Sequence, residues 1–346
     1  MDNNDSGSLR KTPSTSILHD EKRVIREAGR QAINEFLESH NCFSVLRYSG
    51  KVVVFDTRIP IQLAFYALVE HDMQTAPLWN PSIRQFVGLL TVTDFIDILR
   101  YYSQNGLPVS DLATRTIADI LADPNLILKH SNFLAADATA TLKHSCKLLH
   151  ENSLDFLPVI LPSDMRVLAT VTYTNILEHL VTHFREQRRL FDDTIYDLGI
   201  GTYNNVITVC TNQSLSECLH LLQTHELSSV PVVDQEGRVI NVYSRSDITF
   251  LATASDADDA IRNLNLTLGE ILDQQREILT TQRADVSTPD RLHTCTPSHT
   301  LQSIFEYFAQ LKFNRLIVTD DDHRCVGVVS ARDLVAYFVS GCDISP

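Results

Sequence analysis

Four residues that carry a carboxylate or an amide recur at the start of a helical segment in four similar stretches of the chain. They are Asp94, Asn175, Asp247 and Asp333. An oxygen at such a position can accept hydrogen bonds from the backbone N–H groups of the helix start or from the hydroxyl groups of a bound ligand. Helix capping and ligand binding are therefore two alternative explanations for each of these four residues.

These residues lie at a nearly constant distance from a position in a preceding apolar strand. They follow that position by 17, 17, 16 and 16 residues, counted from Pro77, Pro158, Pro231 and Ile317. Each stretch has the pattern strand, turn, strand, helix, as in "FNRLIVTDDDHRCVGVVSARDLVAYF", residues 313–338. Four copies in so narrow a register indicate an internal repeat.

An amphipathic helix precedes each copy, and a short strand precedes that helix. In the fourth copy Leu301, Ile304, Phe305 and Phe308 fall on one helical face. The short strands are clearest in "KVVVFDT" and "NVITVCT". The chain is therefore predicted to have an α/β (more narrowly α+β) fold of four β-α-β-β-α repeats. A single repeat leaves apolar faces exposed, so we expect repeats one and two to pair, and three and four to pair.

The repeat boundaries follow from the same pattern. We expect a polar, disordered tail over residues 1–21, an N-terminal helix over 22–41, and repeats over 42–103, 126–186, 202–254 and 291–342. The stretch from about 186 to 200 is predicted to be a hinge between the pairs. A polar segment, "DQQREILTTQRADVSTPDR", is expected to lengthen the link between repeats three and four.

Composition excludes several classes of protein. A net charge of −14 argues against a nucleic-acid binder, and no apolar run approaches the length of a membrane span. The seven cysteines form no CxxC motif, and the first twenty residues lack the apolar core of a secretory signal. We expect an intracellular, cytoplasmic protein, with a nuclear location left open. No metal site, nucleophile–base pair, P-loop or Gly-rich dinucleotide turn is evident, so no catalysis is expected.

The repeat unit resembles the cystathionine-β-synthase-type (CBS) repeat, and four units without a catalytic domain resemble the γ regulatory subunit of AMP-activated protein kinase. The closer resemblance lies in "KVVVFDT", in "APLWN" followed by "FVGLLTVTDFIDIL", and in "IGTYNN" followed by "SSVPVVDQEGRVINVYS", and it covers roughly residues 30–342. It implies two paired modules in a flattened disk, with AMP, ADP or ATP as ligands and no cofactor. The implied partners are a kinase catalytic α subunit and a β scaffold subunit, for which "NCFSVLRYSGKVVVFDT" offers candidate docking strands.

The resemblance also implies the residues that bind nucleotide. In this family helix-start carboxylates accept hydrogen bonds from ribose hydroxyls, strand backbone meets the adenine edge, and hydroxyl and basic side chains hold the phosphates. Arg332 replaces a serine of the family; it either adds positive charge near a phosphate or is a solvated surface arginine. The matched residues are Thr91, Thr93 and Asp94 at the first site, Ser244, Arg245 and Asp247 at the third site, and Thr202, Ser228, Arg315, Ser330 and Asp333 at the fourth site. The predicted nucleotide-binding set also includes Leu227, Asn314 and Arg332.

The phosphate channel departs from the family pattern. Six positions that usually carry Arg, His or Lys hold Gln74, Asp155, Phe156, Thr174, Asn314 and Arg315, so only Arg315 is basic. Asn175 also stands where the second repeat usually has a basic residue. Each replacement costs a bound phosphate on the order of 1–3 kcal/mol. The fourth site, which keeps the most complete set, is therefore the predicted main binding site.

We thus predict a non-catalytic, nucleotide-binding, γ-like regulatory subunit with a depleted basic channel. One alternative is a γ-like scaffold that has lost nucleotide sensing. Another is a free-standing CBS protein that binds a different adenosyl ligand or controls an enzyme or a transporter. Helix capping alone also explains all four helix-start residues.

Overall fold

The computed structural model describes residues 15–46, 52–71, 73, 75–126, 128, 132–163, 166–184, 191–244, 247, 262–282, 292–311 and 313–339. In chain order its elements are α1 (Thr15–Ser39), a 3-10 helix (Cys42–Val45), β1 (Phe55–Asp56), α2 (Ile61–Glu70), β2 (Thr75–Asn80), β3 (Gln85–Thr91), α3 (Val92–Gln104), a second 3-10 helix (Val109–Ala113), α4 (Ile117–Ala122), β4 (Ala136–Asp137), α5 (Leu142–Glu151), β5 (Phe156–Leu161), β6 (Arg166–Thr172), α6 (Tyr173–Phe184), β7 (Val209–Cys210), α7 (Leu215–Thr224), β8 (Ser229–Val233), β9 (Val239–Ser244), α8 (Leu268–Gln282), β10 (Thr294–Cys295), α9 (Leu301–Leu311), β11 (Arg315–Thr319), β12 (Cys325–Ser330) and α10 (Ala331–Val339).

The predicted β-α-β-β-α order is present in repeats one, two and four. Repeat three shows its first four elements, and residues 248–261 that follow lie outside the described part. Each repeat forms a three-stranded sheet whose first strand is parallel and whose last strand is antiparallel to the middle one. The last residue of each third strand is paired with the first residue of the middle strand: Thr75↔Thr91, Phe156↔Thr172, Ser229↔Ser244 and Arg315↔Ser330. Every helix start therefore lies at the same end of its sheet.

The repeats pair in the predicted way. Repeats three and four are joined by the bridges Thr202↔Val328 and Arg238↔Arg324. In the first pair the Phe86 ring stacks on Phe133, with 4.6 Å between ring centroids. The two pairs are then joined by apolar helix faces: one buried cluster combines α1 with repeats two and four, and the other combines repeats one and three. The core thus runs across the pairs, which the repeat pattern did not predict.

The N-terminal helix begins earlier than predicted. It starts at Thr15 and ends at Ser39, so the prediction of disorder through residue 21 was wrong for residues 15–21. The segment "TSILHDE" is polar overall, but extending an existing helix adds one hydrogen bond for each residue fixed, which favours continuation. Residues 1–14 of the predicted tail lie outside the described part.

Polar side chains of α1 hold the helix against repeat four. Asn34 Nδ2 donates to the Phe338 carbonyl at 2.6 Å, and Arg30 Nη2 donates to the Tyr337 carbonyl at 3.0 Å. Both carbonyls lie in the last turn of α10, where a helix leaves acceptors unsatisfied. The N-terminal helix therefore caps the far end of the helix that begins at the fourth site.

Three predicted loop or strand assignments differ from the structure. Within the predicted hinge, Phe191, Ile195 and Ile200 are buried in the core, and the Phe191 ring packs edge-on against another phenylalanine ring at 5.6 Å. The polar link after repeat three begins inside α8, which continues to Gln282. Residues 42–45, a candidate docking strand, form a 3-10 helix. Buried apolar side chains such as Phe191 and Ile271 hold the first two segments, and backbone hydrogen bonds from Cys42 and Phe43 to repeat two hold the third.

The contact between repeats three and four gives a stability prediction. Gly201 has φ +105°, and a Cβ there would lie 2.8 Å from the Val328 carbonyl oxygen, whereas Gly199 has φ +66° with open space around it. We expect Gly201→Ala to lower the free energy of unfolding by about 2–5 kcal/mol, from strain and overlap together. Gly199→Ala, the matched control, should cost about 1–2 kcal/mol from backbone strain alone. Urea unfolding of both variants measures the difference, and equal losses would contradict it.

Candidate functional site

In repeats one, two and four the helix-start residue is the third residue of its helix and follows a Ser or Thr at the N-cap. The Asp94 Oδ2 atom accepts hydrogen bonds from Thr91 N at 2.7 Å and Thr91 Oγ1 at 2.6 Å, and Asp94 N donates back to Thr91 Oγ1 at 3.1 Å. Ser330 and Asp333 repeat this arrangement at 2.8, 2.7 and 3.2 Å. Each pair is a capping box, which satisfies backbone donors that a helix start otherwise leaves unpaired.

Repeats two and three use the same device. Asn175 Oδ1 accepts from Thr172 N at 3.2 Å and from Thr172 Oγ1 at 2.8 Å. Ser244 N donates to Asp247 Oδ2 at 2.8 Å. Capping therefore accounts for one side-chain oxygen in every repeat. At Asp333 the other oxygen, Oδ1, accepts no hydrogen bond from the described residues, so capping leaves this acceptor for a ligand.

Five of the residues predicted for the fourth site lie at the junction between repeats three and four. Arg315 Nη2 donates to Ser228 Oγ at 2.7 Å, which joins the start of β11 to the start of β8. Ser330 is the strand partner of Arg315. Thr202 exchanges two backbone hydrogen bonds with Val328, at 2.8 and 2.9 Å, on the same strand as Ser330. We call this the fourth cleft: Thr202, Ser228, Arg315, Ser330 and Asp333.

The charge around Arg315 is strongly negative. Burial lowers the pKa of the Arg315 guanidinium, and the carboxylates of Asp155, Asp247 and Asp333 act in the opposite direction. These carboxylates come from repeats two, three and four. One guanidinium thus faces three carboxylates, each of which competes with a phosphate for its positive charge. The weakness of the phosphate channel stays a prediction, and these three carboxylates act in the direction that it requires.

Arg332 is bound to repeat two. Its Nη2 atom donates to the His150 carbonyl at 3.3 Å and to Ser153 Oγ at 3.2 Å, at the end of α5. The alternative of a solvated surface arginine was therefore wrong, because the side chain is partly buried and hydrogen-bonded across repeats. A role beside a phosphate stays a prediction, and it requires Arg332 to share its donors with α5.

The other predicted site residues are spread over the fold. Thr91, Thr93 and Asp94 lie in the separate sheet and helix of repeat one. Leu227 precedes β8 and Asn314 precedes β11, where the Asn314 carbonyl accepts from Ala331 N at 2.9 Å. Ser244 borders the fourth cleft, since its Oγ donates to the Ser228 carbonyl at 3.4 Å. Arg245 lies outside the described residues.

The sequence pattern did not single out Tyr173 as a residue near the candidate site. This residue is 4% exposed, and its hydroxyl has no hydrogen-bond partner in the part of the chain that the structure describes. Burial raises the pKa of Tyr173, while Arg332 opposes the rise and Asp155 adds to it. The corresponding positions of repeats one and four hold Val92 and Ala331. The sequence does contain a signal for this residue, because repeat two has a polar aromatic side chain where repeats one and four have a small apolar one.

The chemistry available in the fourth cleft is hydrogen bonding and charge. The described residues contain no group of three His, Cys, Asp or Glu side chains placed to hold a metal ion. Burial raises the pKa of Cys218 and of Cys295 to about 12, so both thiols are protonated near neutral pH. Among the described helices, none has the length and apolar character that a membrane span requires.

Comparison with protein families identifies the repeat. A model of the CBS domain matches residues 126–182, 200–252 and 284–340. These segments contain the second, third and fourth repeats. Residues 55–104, before the first match, contain the same β-α-β-β-α order. The predicted fold class, four CBS repeats in two modules that form a flattened disk, is confirmed.

Comparison with known proteins gives relatives along most of the chain. It is 32% identical over 91% of its length to the 5'-AMP-activated protein kinase subunit gamma of Dictyostelium discoideum, of which it covers 54%. It is 29% identical over 91% of its length to the human subunit gamma-3, of which it covers 62%. The chain thus spans little more than half the length of these relatives. A similar fold is found in a crystal structure of a Methanocaldococcus jannaschii protein, described as an archaeal homologue of g-AMPK, with a TM-score of 0.68 and 15% identity. The match covers 86% of the present chain and 99% of that protein.

The capping boxes give a stability prediction. Asp333→Ala removes the acceptor for Ser330 N and Oγ and should lower the free energy of unfolding by about 0.5–2 kcal/mol. Asp333→Asn should retain most of that free energy, since an asparagine makes the same bonds in repeat two. Chemical denaturation of both variants measures this difference. An equal loss in both would show that charge, and not the hydrogen bonds, holds the helix start.

Proposed function

We propose that the chain is a member of the CBS-domain family and a non-catalytic, γ-like regulatory subunit that binds adenine nucleotides within a kinase heterotrimer. The similarity to kinase γ subunits along 91% of the chain supports this proposal. Because the chain covers little more than half of those relatives, its partners and ligands are inferred from its own residues as well.

The observation that carries the proposal is the fourth cleft. Asp333 Oδ1 is an acceptor in a helix start, suited to the hydroxyls of a ribose. Arg315 and the hydroxyls of Ser228 and Ser330 lie beside it, suited to a phosphate. Thr202 and Val328 exchange both of their backbone hydrogen bonds with each other, which holds the two repeats together at this junction, beside the place proposed for the adenine. These complementary groups come from two repeats and meet in one cleft.

We place the main nucleotide site in the fourth cleft and assign weak or absent binding to the other repeats. Repeat one keeps Asp94, but the channel positions that would serve its phosphate hold Asp155, Phe156 and Thr174. Repeat two has Asn175, which presents an amide in place of the second carboxylate oxygen. The predicted loss of basic residues affects the sites of all the repeats. In the fourth cleft a basic residue and hydroxyl groups still lie together.

Exposed apolar side chains in the N-terminal part of the chain support a docking surface for partner subunits. Phe43, Val54 and Leu63 are 65%, 42% and 55% exposed. Val54 precedes β1 and Leu63 follows it, whereas Phe43 lies against repeat two, where its N–H donates to the Ala138 carbonyl at 3.1 Å. Among the described strands, β1 pairs with β2 alone and is therefore an edge strand. Edge strands accept an added strand from another chain.

The heterotrimer is tested by co-expression with the α and β subunits of the same species. We expect the chain to co-purify with both as one complex, because the edge strand and apolar side chains gain a partner. Size-exclusion chromatography with mass analysis measures the assembly. A matched variant, Phe43→Ser with Leu63→Ser, should weaken assembly, whereas Ile240→Ser, an exposed apolar site on β9, should not. A chain that elutes alone in the presence of both subunits would refute the kinase assignment.

The site ranking is tested by calorimetric titration of AMP and ATP. Asp333→Ala should weaken AMP binding about 10- to 100-fold, because a charge-assisted hydrogen bond contributes roughly 1.5–3 kcal/mol. Asp333→Asn preserves the cap and should still weaken binding, which separates ligand contact from fold. Asp247→Ala should have the smaller effect of the two alanine variants.

Two outcomes would change the assignment. A larger loss for Asp247→Ala than for Asp333→Ala would move the main site to repeat three. No binding of either nucleotide to the unmodified protein at about 1 mM, a range that corresponds to roughly 4 kcal/mol, would favour the scaffold alternative.

A further inference from the structure

One carboxylate near Arg315, that of Asp155, takes part in no helix cap and in no strand among the described residues. Asp155 lies in the loop between α5 and β5, and its side chain is exposed. The described residues give it no hydrogen bond, whereas the carboxylates of Asp94, Asp247 and Asp333 each hold a helix start. Its charge therefore has no evident role in the stability of repeat two.

The backbone around Asp155 is fixed and faces repeat four. Leu154 is 1% exposed, and its N–H donates to the Leu149 carbonyl at 2.9 Å. Ser153, two residues before Asp155, accepts a hydrogen bond from Arg332 in the first turn of α10 at 3.2 Å. The loop thus presents Asp155 toward the helix start of the fourth cleft, within electrostatic range of Arg315.

The negative charge of Asp155 would act mainly on the phosphate groups of a bound nucleotide. A ribose at Asp333 directs its phosphates toward Arg315, the guanidinium that three carboxylates already share. The first phosphate gains Arg315 and the hydroxyls of Ser228 and Ser330. Each further phosphate would add negative charge near Asp155, while Arg332, the other described cation nearby, already donates to the end of α5, so repulsion rises with phosphate number.

We propose that Asp155 is a specificity-determining residue that makes the fourth cleft discriminate adenine ligands by phosphate number, favouring a nucleoside monophosphate over the di- and triphosphate. This inference rests on the proposed function, since it names the ligand class of the same cleft. Asp155 acts through charge at a distance and makes no direct bond to the ligand. Its effect is therefore sensitive to ionic strength, unlike the effect of a packing residue.

Calorimetric titrations of AMP, ADP and ATP against the full chain, with EDTA present so that ATP carries its full charge, test the proposal. Asp155→Asn should raise the affinity for ATP relative to AMP by about three- to tenfold. Asp321→Asn is the matched control, because it also removes one exposed carboxylate but lies in the turn after β11. Arg315 is at the opposite end of that strand of 5 residues, which spans about 13 Å at about 3.3 Å per residue.

Salt distinguishes charge from a change of shape. Raising the ionic strength from about 0.1 M to about 1 M shortens the screening length from about 10 Å to about 3 Å, which should remove most of the difference between Asp155→Asn and the unmodified protein. A difference that persists unchanged at high salt would overturn the proposal.

The remaining outcomes separate this proposal from the function on which it rests. ATP binding at least as tight as AMP binding in the unmodified protein, or equal effects of Asp155→Asn and Asp321→Asn, would overturn the role of Asp155 and leave nucleotide binding in place. No binding of any of the three nucleotides would overturn both. Tighter binding of AMP, with a selective gain for ATP in Asp155→Asn, supports both.

Discussion

The hydrogen bond from the N-cap backbone N–H to the side chain three residues later is the interaction on which each repeat depends. It stops the third strand and starts a helix at the next residue, as at Ser330 and Asp333. Because the strand register puts the middle strand beside the same point, the helix start, a strand end and the neighbouring repeat converge there. A cleft between repeats is thus a consequence of how the chain turns from sheet to helix.

This capping requirement determines the fold of each repeat but not which ligand its cleft binds. The cap needs one acceptor oxygen, which Asn175 supplies as well as Asp333 does. The ligand would meet the other atom of the same group, and there an amide and a carboxylate differ in charge and in donor character. Four repeats can therefore keep one fold while their clefts differ in chemistry, as the contrast between repeats two and four shows.

The features that could be predicted from the sequence are local. The spacing of Asp94, Asn175, Asp247 and Asp333 predicts the repeats, because it is set by the lengths of a hairpin and a helix start. The features that escaped prediction depend on distant contacts: the burial of Phe191, the apolar cores that join the two pairs, and the bonds from Arg332 to α5. For the same reason the sequence placed Ser228 and Arg315 in one site only through a family resemblance, whereas their hydrogen bond is visible in the structure.

Arg315 attracts two kinds of anion at the proposed site: the neighbouring carboxylates and a bound phosphate. A half-buried guanidinium is costly without carboxylates, and three carboxylates in one cleft repel one another without a cation, so Arg315 and its neighbours stabilise each other. A phosphate would draw on the same charge, and its binding must therefore weaken part of this internal balance. The affinity of the cleft is then a difference between two large electrostatic contributions. One carboxylate more or less, such as Asp155, is enough to shift the preferred charge of the ligand while the fold stays the same.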